Sequence, residues 1–111
     1  MEIEKYKSII VKQAEDDIIE TLSYISDELK NPQAAQKLWT DILNTVDRIR
    51  AFPYLGAMLK NEKITLGKEY RRAEVNNFVM IYKVVEEAKE VRIMAVFYGA
   101  SDVVARLTER L

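Results

Sequence analysis

The stretch NPQAAQKLWTDILNTVDRIRAFPYLG, residues 31 to 56, decides the fold. Asn31 and Pro32 form a helix start: Asn is a favoured N-cap, and Pro at the first helical position gives up an N–H that has no partner there anyway. The apolar residues Ala35, Leu38, Trp39, Ile42, Val46, Ile49 and Phe52 then recur at spacings of three and four, the stripe of a helix that buries one side. Pro53 disfavours helical backbone at Phe52 and closes the helix.

Upstream, Ala14, Ile18, Leu22, Ile25 and Leu29 make a second stripe, with Glu15, Asp16, Glu20, Asp27 and Glu28 on the other side, so a first helix is expected over roughly residues 14 to 30. It stops where the second begins, and two amphipathic helices joined this tightly pack as an antiparallel hairpin. Before them, YKSIIV (6 to 11) reads as a short strand.

Downstream, Tyr54 to Lys68 has no period and reads as a loop. Three strands follow, KEYRRAEV (68 to 75), FVMIYKVV (78 to 85) and VRIMAVFY (91 to 98), parted by Asn76-Asn77 and by EEAKE. Links this short impose an antiparallel meander. The last two strands are apolar on both faces and are expected to be central or doubly covered. The first strand is expected at an edge, and the helical hairpin gives a crossover long enough for it to pair with the last in parallel. Gly99 ends the sheet, and SDVVARLTERL supplies a short terminal helix with Ser101 or Asp102 as cap. The expectation is an α+β fold in one domain: N-terminal strand, antiparallel helical hairpin, three-stranded antiparallel meander, short C-terminal helix.

Composition excludes several chemistries. The 111 residues suffice for one core but not for separate cofactor and substrate domains. With no Cys and no His, thiolate chemistry, classical hydrolase triads and the usual zinc sites are excluded. The GxGxxG, Walker, HExxH and EF-hand patterns are absent, so neither a cofactor nor a metal is expected. A cytoplasmic protein without membrane contact is expected from the lack of a signal-like or spanning apolar run. The acidic pairs Asp16-Asp17 and Glu86-Glu87 read as solvated surface, since neighbouring residues on a helix diverge by about 100°.

Charge is unevenly placed. Residues 1 to 55 carry 7 Lys and Arg against 10 Asp and Glu, a net of −3; residues 56 to 111 carry 10 against 8, a net of +2. The densest basic stretch holds Lys60, Lys63, Lys68, Arg71 and Arg72. Arg offers a planar bidentate fork and Lys a point charge, so these residues are candidates to grip phosphates or an acidic protein; otherwise they decorate a solvated edge strand. Period two sends Arg71 and Arg72 to opposite faces. Tyr82 and Tyr98 are candidates for stacking or proton transfer, or else fill a sheet face. Asp102 reads as a cap or a partner contact.

Taken together, AEDDIIETLSYISDEL, the 31 to 56 segment with its FP and following G, YRRAEV, FVMIYKV and VRIMAVFYGASD resemble the RelE/ParE superfamily of type II toxin–antitoxin toxins over nearly the full length. The resemblance implies a growth-inhibiting toxin neutralised by a cognate antitoxin that wraps it, with operator DNA contacted only through the antitoxin. RelE-type members cleave messenger RNA on the ribosome; ParE-type members are thought to poison DNA gyrase. YRR at 70 to 72 and FVMIYKV at 78 to 84 resemble the ParE pattern. Where RelE nucleases carry Arg this chain has Val75, where they carry a basic pair it has Ala100-Ser101, and no Tyr follows Tyr98. The ParE-like branch is therefore expected, with gyrase as target. A ribosome-dependent endonuclease and an inactive member that only binds antitoxin are the alternatives.

Overall fold

The computed structural model describes residues 4–59, 70–99 and 102–110. Its order is β1 (Lys7–Ile10), α1 (Lys12–Ser23), a π-helical segment (Tyr24–Glu28), α2 (Pro32–Ala51), β2 (Ala57–Met58), β3 (Tyr70–Val75), β4 (Phe78–Val85), a 3₁₀ turn (Glu86–Ala88), β5 (Glu90–Tyr98) and α3 (Val103–Thr108). The strands form one mixed sheet, β1-β5-β4-β3-β2. As expected, β1 lies at an edge and runs parallel to β5, from Lys7 opposite Glu90 to Ile10 opposite Ile93. The remaining pairs are antiparallel.

The central strands are covered on both faces. One face packs Met80, Tyr82, Val91 and Ile93 against Ala14 and Ile18 of α1 and Leu38, Ile42, Val46 and Ile49 of α2. The other packs Tyr70, Val79, Ile81, Ala95 and Phe97 under Val103 and Leu107 of α3. Full burial of a Val, Leu or Ile side chain stabilises by about 1.5–3 kcal/mol, so these two layers dominate the folding free energy.

α2 begins as its sequence dictates, with the Asn31 side chain accepting from the Ala34 N–H at 3.1 Å and Pro32 in the first turn. The first helix departs from expectation. It starts at Lys12, and beyond Ser23 it widens: the Leu29 N–H reaches the Tyr24 carbonyl five residues back. The widening turns the end of the stripe outward, leaving Leu29 56% exposed instead of packed. Phe52 also leaves its stripe, because Pro53 makes it the C-cap, with φ −136°, and its ring is 52% exposed. The segment expected to be loop after Tyr54 contains the edge strand β2.

The hairpin turns use left-handed backbone at Asn76 (φ 53°) and Lys89 (φ 50°), and Gly99 (φ 78°) ends β5. Within β5, Ile81 faces Ala95 while Tyr82 faces Ile93, so Met94 is an extra, bulged residue that locally increases twist.

Candidate functional site

The structure brings the predicted residues of the sheet's far side to the turn that follows α2. That turn is clamped from three directions. From β4, the Tyr82 hydroxyl donates to the Pro53 carbonyl at 2.7 Å and accepts from the Gly56 N–H at 3.1 Å. From β3, Arg71 Nη1 donates to the carbonyls of Gly56 at 2.8 Å and Tyr54 at 3.2 Å, and its guanidinium lies 5.1 Å from the Tyr54 ring centre. From the β4–β5 turn, Glu86 accepts from the hydroxyls of Tyr54 at 2.6 Å and Tyr6 at 2.8 Å, and pairs with Lys89.

Gly56 is required here. A Cβ at this position would stand 2.5 Å from the Tyr82 hydroxyl and 2.6 Å from the Arg72 carbonyl oxygen. Electrostatics follow the same contacts. Hydrogen bonds from Lys89, Tyr54 and Tyr6 hold the Glu86 carboxyl down at about 2, and the Glu86 carboxylate pushes the Tyr54 phenol up to about 12. Burial raises the Tyr82 phenol.

Three of the expectations change. Tyr82 is not presented to a partner: it is 0% exposed, and both hydrogen-bonding capacities of its hydroxyl are met inside the chain. Asp102 occupies the N-cap position of α3, but its backbone is left-handed (φ 56°) and its side chain makes no capping bond. The acidic pairs are not plain solvated surface. Asp17 is a half-buried link, accepting from the Val96 N–H at 3.0 Å and pairing with Arg110; Glu86 is the hub just described.

Arg71 and Arg72 do fall on opposite faces. Arg71 sits opposite Tyr82 on the helical face, and Arg72 opposite Ile81 on the α3 face, where it pairs with Glu74 at 2.9 Å. Tyr98 is 68% exposed and packs edge-on to Phe78 with ring centres 5.3 Å apart, well away from the Tyr82 clamp. Lys60, Lys63, Lys68 and the Ala100-Ser101 pair lie outside the described residues. Residue typing missed Tyr6, Tyr54, Glu86 and Asp17. Only Tyr54, next to the helix-ending Pro53, gave a positional hint.

Among the described residues no group of His, Cys, Asp and Glu could hold a metal ion, and no helix is long and apolar enough to cross a membrane. What the surface offers is an apolar and cationic face beside the α2 turn, and an aromatic groove of about 780 Å³ that includes Tyr24, Leu29, Phe78 and Tyr98.

A helical hairpin on one face of this mixed sheet with a short helix on the other is the fold of solved ParE- and RelE-type toxins. The chain is similar in structure to the chromosomal ParDE system of P. aeruginosa, with a TM-score of 0.67 at 18% identity over 87% of this chain and 99% of that one. It is also similar to the archaeal RelE–RelB complex of Pyrococcus horikoshii OT3 (TM-score 0.59, 17% identity, 87% and 98% covered). A third likeness is to the RelBE2 toxin–antitoxin complex of Mycobacterium tuberculosis (0.58, 16%, 90% and 98%). At such identities these likenesses show the fold. No curated protein matches in sequence. The family model "ParE toxin of type II toxin-antitoxin system, parDE" matches residues 9–103, and the chain belongs to that family.

Proposed function

We propose that this toxin-family chain arrests growth by binding a protein target, with DNA gyrase favoured, in the cytoplasm, and that a cognate antitoxin neutralises it by covering apolar and basic surface. The observation that carries the choice of a protein target over RNA cleavage is Val75. At the position where the resemblance to RelE nucleases would place Arg, the side chain is 3% exposed and packed among Met80 and Val46 in the helical core. A cation there would be buried without a partner, which costs too much to be tolerated.

Two further points support the reading. The sequence has no His to act as general base, and the Tyr82 hydroxyl is bound on both sides within the fold. Positive and apolar groups are instead exposed together: Arg48 in the last turn of α2, with Phe52 and Leu55 beside it. Target contacts are assigned to Lys60, Lys63, Lys68, Arg72, Tyr98 and Asp102, with Arg71 and Tyr82 holding the turn that leads into the basic segment. Induced expression tests the first half of the proposal. Growth should stop without the antitoxin and resume when it is co-expressed; unchanged growth would leave only the antitoxin-binding role.

A further inference from the structure

The α2 turn leaves Phe52 and Leu55 52% and 71% exposed. They are not scattered surface residues. They wall a notch of about 370 Å³ whose lining also includes Ile49 and Ala73, above the buried Tyr82. That volume is at the low end of the roughly 300–1,000 Å³ of ligand sites, room for a side chain or two of a partner.

Two charged residues complete the lining, Arg48 and Glu74, and they are not equivalent. Glu74 is met by the Arg72 guanidinium at 2.9 and 3.1 Å. Arg48, in the last turn of α2, is exposed and makes no ion pair or side-chain hydrogen bond among the described residues. The notch is therefore apolar inside with one uncompensated cation at its side. The opposite character holds at α1 and its π-helical extension, where residues 12 to 30 carry 2 Lys against 6 Asp and Glu. A partner that lies on the α2 turn meets positive charge; one that lies on α1 meets negative charge.

We propose that the notch is a docking point for an acidic–apolar segment of the antitoxin, one apolar side chain entering between Phe52 and Leu55 and a neighbouring carboxylate meeting Arg48. The proposal rests on the toxin–antitoxin reading and names the chemistry of the partner's contact. The carboxylate fixes register, and the apolar side chain supplies most of the affinity, as buried anchors do at protein interfaces.

The test titrates the purified protein encoded beside this chain's gene into the full chain by calorimetry, at low and moderate salt. Arg48→Glu and Leu55→Asp are each expected to weaken binding by about tenfold or more, and Arg48→Glu also to flatten the salt dependence. Both side chains are exposed, so circular dichroism and melting temperature should stay at wild-type values; Arg48→Ala repeats the test without charge reversal. Ile19→Asp, in the separate groove of about 700 Å³ between α1 and α2, should bind within about threefold of wild type. Notch variants that bind like wild type, or a loss confined to Ile19→Asp, would overturn the docking proposal alone. A wild-type chain that fails to bind the neighbouring protein would overturn the toxin–antitoxin reading and this proposal with it.

Discussion

The hydroxyl of Tyr82 donates to the carbonyl of Pro53 across 29 positions of sequence, at 2.7 Å, inside the protein. One phenol thus joins the middle of the sheet to the residue that follows the C-cap of α2. Removing that oxygen leaves the Pro53 carbonyl and the Gly56 N–H without their partner. Tyr82→Phe should therefore destabilise by about 1–3 kcal/mol, the usual cost of orphaning buried polar groups, read as a lower urea midpoint at unchanged slope.

Gly56→Ala probes the same contact from the other side. Tyr82 could yield to a new methyl group, but the Arg72 carbonyl 2.6 Å away belongs to the β3 ladder and cannot. A loss of about 1–3 kcal/mol is expected from this overpacking, and pairing Gly56→Ala with Tyr82→Phe should not restore it.

The Glu86 knot predicts a pH window. Its carboxyl is lowered from 4.5 to about 2 in the fold, so its contribution is complete above pH 4.5 and is lost as pH falls toward 2. Tyr54 is raised from 10.0 to about 12, so its contribution is complete below pH 10 and is lost as pH rises toward 12. These groups are open to water, so screening keeps the effect small. Thermal melts of Glu86→Gln should fall below wild type between those limits and converge with it near pH 2.

Asp17 joins three elements: its own helix, the β5 backbone at Val96 and, through Arg110, the segment after α3. The Val96 N–H points to the side where β1, which pairs only as far as Ile93, no longer covers β5. The carboxylate thus stands in for a missing strand. Arg110 and Arg106 also flank the Phe97 ring, 4.8 and 4.5 Å from its centre. Asp17→Ala should cost about 1.5–3 kcal/mol, the range for hydrogen bonds to a charged group, and Arg110→Ala should speed amide exchange in α3 more than in α2.

Much of this architecture is legible in local sequence. Asn31-Pro32 and Phe52-Pro53 carry the limits of α2 in their own backbone preferences, and the doubly apolar FVMIYKVV and VRIMAVFY announce central strands. What is not legible depends on distant partners. Tyr82 looks like any strand aromatic until Pro53 and Gly56 arrive beneath it, and Asp17 looks solvated until Val96 and Arg110 reach it. The π-helical widening after Ser23 is also invisible to a 3.6-residue period, in which Leu29 falls on the packed stripe. The two-residue strand β2 is too short to leave a periodic signal at all.

The central claim, a toxin-family protein aimed at a protein target, is tested most directly by adding the purified chain to gyrase supercoiling reactions and, in parallel, to ribosomes translating a defined message. Inhibited supercoiling, with the message intact and activity restored by antitoxin, is the predicted result. Cleaved message with supercoiling unaffected would contradict it.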